Sequence, residues 1–488
     1  MIKFGISDGY NKTATLNGEN LIKLYMAKNE GESCVISVLS EEDIEDAEIT
    51  VNESYDNILV ETEREYFISC NGKMYPDPLV PTKKVSIKAN ELTSILVRFT
   101  TKRETEAGEY KYTVSLGNLT FNVEVKVWDF ALPEEYVINV SMDLYRDQIA
   151  RMHNVEDDEE ETQRLYEAYY EKLLQFRVSP FVLPYDILDE RADKFMSDPR
   201  LTAFNCDKEV SADDETLKKN HEKRSKDSKW MKKAMIYPID EPLTKEHLDF
   251  LVTACNRAKE LCPEIRRTTA FFRDIDYDEN TDEIEVILDN CDLILPKLAC
   301  FNDDFIYEDP KKLEKYGSFR NRMTKAKEKG KEIWHYVCWE PGRPYVNLYV
   351  DESGLDHRII FWQQHLIGAT GFLYWTTNHW RFVENPWKDM ATVPDLSPDV
   401  FGDGSLLYNG NEVGIDGACA SVRLEAVRNG VEDCEMLLIA DEVLGRDKVL
   451  EKVRLVTSDV ITFTESPEVF NKVRREIGDA LEEALKAR

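Results

Sequence analysis

The sequence predicts an α/β protein in which an N-terminal β-sandwich precedes a (β/α)8 TIM-like barrel and a helical C-terminal extension. Three observations support this prediction. Short β-forming runs separated by turns fill residues 1–133, strand and helix patterns alternate over 134–385, and loop followed by helix occupies 386–488. Strands that alternate with helices are typical of parallel sheets, and eight such units over about 250 residues fit a barrel.

The first region carries the sandwich prediction. Runs of β-forming residues recur there with turns between them, as in 34–38, 94–99, 110–114 and 121–127. Short strands at this spacing are typical of two packed antiparallel sheets. Leu132 and Pro133 end the block and link it to the next region, because proline interrupts a strand ladder.

The middle region alternates strands and helices. We predict eight strands, at 137–141, 180–183, 201–204, 234–239, 267–272, 292–296, 333–338 and 371–375, of which the third has the weakest pattern. Helical patterns fall at 158–176, 244–261, 310–329 and 356–367. In such a barrel the functional residues lie at the carboxyl ends of the strands.

The C-terminal region is predicted to be loop and helix packed on the barrel. A long amphipathic stretch begins at 421–428, and Ser466, Pro467 and Glu468 open the last helix with an N-cap, a proline at N1 and an early acid. An apolar stripe follows at four-residue spacing, formed by Val469, Val473, Ile477, Leu481 and Leu485. Such a stripe predicts a helix with one buried face.

Charge and composition exclude several classes of protein. The 488 residues include 62 basic and 94 acidic side chains, a formal net charge of −32. Nucleic acid and anionic membranes need basic surface, so neither is an expected partner. The N-terminus has no apolar leader pattern and no apolar run is long enough to span a bilayer, so we expect a cytoplasmic protein with no membrane insertion. The ten cysteines are scattered without a CxxC motif, which predicts reduced, mostly buried thiols.

The most specific chemical feature is a pair of adjacent acids, Asp240 and Glu241, at the end of the fourth predicted strand in the segment Tyr-Pro-Ile-Asp-Glu-Pro at 237–242. Neighbouring side chains at a strand end diverge, so two acids can approach one ligand from different sides. One of them can donate a proton while the other orients a neighbouring group. The alternative is a solvated acidic turn that favours the dipole of the next helix.

Aromatic residues are dense at the ends of the last two strands. Trp334, Tyr336, Trp339, Tyr345, Trp375 and Trp380 fall within 47 residues, with Asn347, Asn378 and His379 among them. Aromatic faces beside uncharged hydrogen-bonding groups suit sugar rings, which have apolar faces edged with hydroxyls. Core packing explains part of this density.

Metal and phosphate motifs are weaker. Acidic residues in 274–285 occupy the liganding positions of a calcium loop, but Glu279 stands where the sharp turn requires glycine. An acidic surface loop is the alternative. The sequence has no HExxH, GxSxG, P-loop or GxGxxG motif, so we expect no metal and no cofactor.

Seven motifs in order resemble glycoside hydrolase family 123, whose catalytic region is also catalogued as a domain of unknown function. They are CNGKMYPDPLVP at 70–81, WDFALP at 128–133, IYPIDEP at 236–242, WHYVC at 334–338, GFLYW at 371–375 with Asn378 and Trp380, GDGSLLY at 402–408, and SVRLE at 421–425 through GVED at 430–433. The resemblance runs from about residue 25 to 440. It implies a β-sandwich followed by a (β/α)8 catalytic domain.

The resemblance also implies an activity, that of an exo-acting, retaining β-N-acetylgalactosaminidase. In the carry-over from the family, Asp240 holds the 2-acetamido group of the sugar, whose carbonyl oxygen attacks the anomeric carbon, and Glu241 protonates the leaving oxygen. Such an enzyme borrows its nucleophile from the substrate, so adjacent carboxylates suffice. The implied partner is an oligosaccharide or glycoconjugate with a terminal β-linked N-acetylhexosamine. The expected substrate contacts are Tyr237, Tyr336, Trp339, Tyr345, Asn347, Trp375, Asn378 and Trp380.

The sequence leaves alternatives open. Tyr408-Asn409-Gly410 replaces an expected Tyr-Pro-Gly, and the segment 190–232 is short and rich in Lys and Asp, so galacto or gluco preference is undecided. A second hypothesis is a glycosidase for a sugar without an acetamido group, with Asp351 or Glu340 as second carboxylate. A third is a catalytically silent carbohydrate-binding protein. Arg358 and Arg423 are expected to hold helices and loops together through charge-assisted bonds.

Overall fold

The fold was analysed in a computed structural model, which describes residues 1–273, 282–307 and 309–488, with the backbone alone at residue 207. It is a mixed α/β fold, rich in sheet at the N-terminal end and helical at the C-terminal end. No helix among the described residues is both long and apolar enough to cross a membrane.

The N-terminal region consists of ten strands. These are β1 (Ile2–Asp8), β2 (Leu21–Lys28), β3 (Gly31–Ser40), β4 (Ile44–Val51), β5 (Ile58–Cys70), β6 (Lys73–Pro81), β7 (Lys84–Ile87), β8 (Leu92–Thr101), β9 (Gly108–Leu116) and β10 (Leu119–Ala131). They belong to two sheets, one with the order β1-β3-β8-β5-β6 and the other with the order β2-β10-β9-β4-β7. Inward-facing aliphatic and aromatic side chains of both sheets, including Ile36, Val97 and Phe121, form one buried core.

The middle region alternates short strands with helices. Its strands are β11 (Asn139–Met142), β12 (Ser179–Pro180), β13 (Phe204–Asn205), β14 (Ala234–Ile236), β15 (Arg266–Arg267), β16 (Ala270–Phe271), β17 (Leu293–Pro296), β18 (Glu332–Val337) and β19 (Gly371–Tyr374). Its helices are α1 (Arg146–His153), α2 (Glu159–Gln175), α3 (Ala192–Met196), α4 (Asp214–Arg224), α5 (Ser228–Lys233), α6 (Lys245–Leu261), α7 (Glu283–Asn290), α8 (Asp303–Ile306), α9 (Pro310–Tyr316), α10 (Phe319–Glu328) and α11 (Gly354–Ile367).

All strand pairs in this region are parallel among the described residues. One sheet has the order β12-β11-β19-β18-β17-β16 and a second has the order β13-β14-β15. A parallel bridge between Val182 and Asn205 joins the segment after β12 to β13, and only Thr268 and Thr269 separate β15 from β16.

All eight predicted strand positions carry a strand, although the third begins at Phe204, the last residue of its predicted range. The predicted helix at 310–329 is two helices, because the chain turns at Gly317 with φ 78°. Sequence reasoning also missed α4 and α5, since the segment 190–232 lacks a clear apolar stripe.

The C-terminal region differs from its prediction in one respect. It contains α12 (Val422–Ala440), a π-helical turn at Asp441–Gly445, α13 (Arg446–Val456) and α14 (Pro467–Lys486). It also contains two short strands, β20 (Tyr408–Asn409) and β21 (Ala418–Ser421), which extend the first N-terminal sheet beyond β6. The prediction of loop and helix for 386–488 did not include these two strands, which are too short to show alternation.

Helix α14 buries Val473, Ile477 and Leu481 of its predicted stripe, whereas Val469 is exposed. Its residue Phe470 contacts Trp362 of α11 with 5.2 Å between ring centroids. Gly478 faces Trp128 of β10 so closely that a Cβ would lie 2.3 Å from the indole. The predicted contact with the middle region is thus only part of the packing, and the N-terminal sheet provides the rest.

Two sequence expectations about buried groups are confirmed. All ten cysteines are free and all but Cys338 are buried. The guanidinium of Arg358 bonds to Asp433 and Glu32, and that of Arg423 bonds to Asp77, so both arginines join separate parts of the chain.

Candidate active site

The two acids lie in a tight turn after β14. Glu241 has φ 39°, in the left-handed region that non-glycine residues rarely adopt, and Pro242 follows it directly. A residue before proline is normally driven to extended backbone, so this turn is strained. Its effect is to separate the two side chains, because Asp240 is exposed while Glu241 is half-buried.

Two tyrosines hold the acid side chains in place. The hydroxyl of Tyr336, on β18, donates a hydrogen bond to Oε1 of Glu241. The hydroxyl of Tyr237 donates to Oδ1 of Asp240 at 2.5 Å and accepts from the backbone N–H of Ala270 at 3.1 Å. Each carboxylate is thus oriented by a phenol attached to a strand, as a preorganised site requires.

The pKa of Glu241 is raised from its ordinary value, chiefly because burial disfavours the charged form. The bond from Tyr336 and the charge of Lys297 lower this pKa, whereas the charges of Asp240 and Glu340 raise it. Burial is the larger cause, and the Asp240 charge adds to it.

Lys297 is a site residue that sequence reasoning missed. It follows β17 directly and is only 2% exposed. Its Nζ lies 4.5 Å from the ring centroid of Phe272, 5.7 Å from that of Tyr336 and 3.7 Å from Oε1 of Glu340. The available signal was a lone lysine at the end of an apolar strand and before the apolar run 298–301.

Trp375 is half-buried, and its indole is held by Asp403. Its Nε1 donates to Oδ2 of Asp403 at 3.0 Å, and the hydroxyl of Tyr374 donates to Oδ1 at 2.8 Å. Burial raises the pKa of Asp403 to about 6. The ring of His379 lies 4.7 Å from that of Trp375. Asp403 was visible only as part of the GDGSLLY motif, without a role.

Two other predicted aromatics lie near the loop after β18. Trp339 is half-buried, and its carbonyl accepts a hydrogen bond from Tyr349 at 2.7 Å. Tyr345 is 8% exposed, packs against Phe305 and has its hydroxyl bonded to Asn302 at 3.0 Å. The hydroxyl of Tyr345 is therefore already engaged within the protein.

Three predicted substrate contacts, Asn347, Asn378 and Trp380, are fully buried in the structure. The amide of Asn378 bonds to both the N–H and the C=O of Tyr145, at 2.8 and 2.9 Å. The amide of Asn347 donates to the carbonyl of Cys338 at 2.7 Å, and the indole of Trp380 donates to Ser405. All three side chains therefore form hydrogen bonds within the protein.

A cleft of about 1280 Å³ lies between α2 and the segment after β12, and neither Asp240 nor Glu241 lines it. Its wall includes Asp143, Tyr145 and Tyr185. Burial raises the pKa of Tyr145, and the charges of Asp143, Asp147 and Asp240 add to this rise. The cleft thus adjoins the carboxyl ends of β11 and β12.

The second carboxylates considered from the sequence lie in different places. The charge of Glu340 raises the pKa of Glu241, and its carboxylate pairs with Lys297. The charge of Asp351 instead affects the pKa of Lys12 and Glu352. Of the two, Glu340 belongs to the site.

The structure also bears on possible metal sites. Most of the predicted calcium loop, 274–281, lies outside the described residues. Asp282 caps α7 and pairs with Arg322 at 2.8 Å, so it has a structural role. One buried group of three carboxylates, formed by Glu30, Glu32 and Asp433, has the spacing of a metal site. Arg358 and Arg474 already pair with these carboxylates, so the cluster is a buried ion network.

Residues 217–440 match the family model described as the catalytic domain of glycoside hydrolase family 123. The protein is a glycoside hydrolase, and its segment 217–440 is similar to the family 123 catalytic domain. This match confirms the resemblance found in the sequence motifs, and the segment contains Asp240, Glu241, Lys297, Trp375 and Asp403.

Solved structures show the same relationship at the level of the fold. A family 123 glycoside hydrolase from Clostridium perfringens, studied for glycolipid glycan hydrolysis, superimposes with a TM-score of 0.70 and 13% identity, covering 100% of this chain and 98% of that one. A family 2 β-galacturonidase from Eisenbergiella tayi bound to galacturonate has a TM-score of 0.30 and 10% identity, covering 82% and 69% of the two chains. That likeness is too low to carry an argument. A search of curated proteins found no match to this sequence.

Proposed function

We propose that this glycoside hydrolase is an exo-acting, retaining β-N-acetylhexosaminidase, in particular a β-N-acetylgalactosaminidase that uses substrate-assisted catalysis. The observation that carries the proposal is the pair Asp240 and Glu241, each held by a tyrosine hydroxyl, in one segment of a glycoside hydrolase. The substrate would be an oligosaccharide or glycoconjugate that ends in a β-linked N-acetylhexosamine.

In the first step Glu241 acts as the acid. Its proton passes to the glycosidic oxygen while the acetamido carbonyl oxygen bonds to the anomeric carbon and the bond to the leaving group breaks. The raised pKa of Glu241 supports this role, since a general acid must hold its proton near neutral pH. Asp240 accepts the acetamido N–H and stabilises the positive charge of the resulting oxazolinium ring.

In the second step Glu241 acts as the base. Its carboxylate takes a proton from water, and the water oxygen bonds to the anomeric carbon. The bond between the acetamido oxygen and the anomeric carbon breaks, so the acetamido group is restored and the anomeric configuration is retained. The hydroxyl of Tyr336 bonds to this carboxylate, so it stabilises the charged form that the first step leaves behind.

Sugar binding in this proposal uses the half-exposed indole of Trp375 as a stacking face, fixed by its bond to Asp403. Tyr237 and Tyr336 contribute to sugar binding by orienting Asp240 and Glu241, which contact the sugar. Trp339 and Tyr345 remain proposed contacts at the edge of the site.

The architecture that would support this chemistry is a (β/α)8 barrel over 134–385, between a sandwich at 1–133 and an extension at 386–488. Its support is the unbroken series of parallel pairs around β11 to β19 when β15 and β16 count as one strand. A compact apolar cluster of side chains from these strands and the residue before β13 fits a barrel interior. Its members are Ala203, Met235, Ala270, Leu293, Leu295, Trp334, Tyr336 and Leu373.

The test compares chromogenic β-N-acetylgalactosaminide, β-N-acetylglucosaminide and β-galactoside as substrates. We expect turnover only of the acetamido sugars, and a loss in kcat of about 10²–10⁴-fold for Glu241→Gln. Asp240→Asn should lose kcat while a thiazoline mimic of the oxazoline still binds. Equal turnover of the β-galactoside would overturn the substrate-assisted mechanism.

A second candidate is a glycosidase for a sugar without an acetamido group, in which Glu340 is the second carboxylate. The observation in its favour is that Glu340 shares Lys297 with Glu241. Under this candidate Glu340→Gln abolishes turnover of a β-galactoside and the thiazoline does not bind. Binding of sugars by calorimetry without turnover of any glycoside would instead indicate a silent binding protein.

A further inference from the structure

The placement of Lys297 is determined by two strands. Its backbone N–H donates to the carbonyl of Phe271 at 2.9 Å, and it forms a parallel bridge with Tyr336. These contacts hold the residue at the carboxyl end of β17, next to β18. The side chain is 2% exposed, so the ammonium is directed inward rather than into solvent.

A buried ammonium is costly unless negative charge lies nearby. The carboxylate of Glu340 lies 3.7 Å from Nζ, and 44% of the Glu340 side chain is exposed. Phe272 and Tyr336 flank the ammonium, and the same Tyr336 donates its hydroxyl to Glu241. The cation therefore lies beside the partly solvated Glu340 and near the ring of Tyr336, whose hydroxyl holds the half-buried Glu241.

We propose that Lys297 is a positioning cation that serves the two carboxylates of Glu241 and Glu340 in turn. When Glu241 carries its proton, the Glu340 carboxylate neutralises the positive charge of Lys297. When the proton has passed to the leaving group, Lys297 stabilises the Glu241 carboxylate until water restores the proton. This inference rests on the proposed function, because it assigns Lys297 a part in the same proton cycle.

The groups around Glu241 act in opposite directions. Lys297, at the end of β17, and Tyr336, on β18, lower its pKa. Burial, Asp240 in the same turn and Glu340 in the segment after β18 raise it. Removing Lys297 and removing Glu340 should therefore shift the titration of Glu241 in opposite directions, which loss of packing would not do.

The experiment is the pH profile of kcat/KM on chromogenic β-N-acetylgalactosaminide, whose alkaline limb reports the acid of the free enzyme. Lys297→Met keeps the stem between the two rings and removes the charge, so we expect the limb to move upward by about one pH unit. Glu340→Gln should move the limb downward. Lys297→Arg keeps the charge and should leave the limb within about 0.3 units of wild type.

The matched control is Lys233→Met. Lys233 is half-buried at the amino end of β14, where its Nζ bonds to the carbonyls of Met196 and Asp198 at 2.9 and 2.7 Å. Its loss should reduce stability without moving the limb. If Lys297→Met does not fold by circular dichroism, Glu340→Gln and Lys297→Arg still test the proposal.

Unchanged limbs in both Lys297→Met and Glu340→Gln, or shifts in the same direction, would overturn the positioning role. The proposed function fails separately, if wild type turns over no acetamido glycoside. In that case carbon-13 NMR titration of the glutamate carboxyls, with Glu241→Gln used to assign the Glu241 signal, measures the same two shifts without activity. Opposite shifts support the proposal, and the absence of either shift overturns it.

Discussion

Replacing Arg423 with Met should destabilise the protein strongly, because this one side chain joins three parts of the chain. Arg423 lies on α12 and is fully buried. It pairs with Asp77 of β6 at 2.8 Å and donates to the carbonyls of Leu348 and Gly402 at 2.8 and 2.7 Å. It also bonds to the carbonyl of Ser405, within the loop that holds Trp375.

The magnitude follows from what the substitution leaves behind. Met fills much of the volume of the arginine stem, so the cavity is small. The Asp77 carboxylate remains buried, with the hydroxyl of Tyr408 as a donor at 2.5 Å. Breaking a buried ion pair on one side costs about 3–5 kcal/mol, and carbonyls left without donors add to this. We therefore expect the free energy of unfolding to fall by about 4 kcal/mol or more.

The assay is urea unfolding followed by circular dichroism, with Arg164→Met as the matched control. Arg164 also pairs with two carboxylates, Glu161 and Asp416 at 2.7 and 2.8 Å, but it lies on the surface. Its loss should cost less than about 1 kcal/mol. Arg423→Lys should fall between the two because it keeps the charge and loses the fork geometry.

Equal losses in Arg423→Met and Arg164→Met would refute the reasoning, because burial would then not decide the effect. If Arg423→Met folds and loses much stability but keeps its KM, then the Arg423–Asp77 pair does not influence the position of Trp375.

The remaining predictions concern stability and the support of the site. Burial lowers the pKa of His335 from 6.5 to about 3, so the unfolded chain binds a proton more tightly than the folded chain. The contribution of neutral His335 to the free energy of unfolding is therefore full above pH 6.5. It is lost at about 1.4 kcal/mol per pH unit as the pH falls toward 3. The difference in free energy of unfolding between wild type and His335→Gln should therefore shrink between pH 6 and 4. A difference independent of pH would contradict this prediction. Gly404→Ala should raise KM as well as reduce stability, because its Cβ would lie 2.2 Å from the indole of Trp375, whereas Gly414→Ala, also at positive φ but with open space, should reduce stability by about 1 kcal/mol and leave KM unchanged. Asn378→Ala should lower the denaturation midpoint with little change in KM. A rise in KM with an unchanged midpoint would instead indicate that Asn378 contacts the substrate.

Sequence patterns located the strands and the acid pair well, for a physical reason. Strands buried on both faces are continuous apolar runs, and each of the eight runs predicted as strands in 134–385 carries a strand in the structure. Asp240 and Glu241 are adjacent in the chain, so their proximity needs no tertiary information. The short strands β20 and β21 were missed, because two to four residues cannot show a period.

The aromatic cluster shows where sequence reasoning stops. Trp375 and Trp380 are five residues apart and equally aromatic, yet the first is half-exposed and the second has no exposed surface. Asn378 has the polarity of a sugar contact, but both ends of its amide bind the backbone of Tyr145. Residue type states which chemistry a side chain has, while only packing decides whether that chemistry faces a ligand.

The sequence by itself therefore determined the positions of the eight strands in 134–385, the acidic character and the pair Asp240 and Glu241, because these depend on neighbours along the chain. Only the tertiary structure decided the electrostatics of that pair. Burial raises the pKa of Glu241, Lys297 lowers it, and Asp403 holds the indole of Trp375. These contacts join residues far apart in the chain, and the field at a carboxylate depends on distance in space and on exclusion of water.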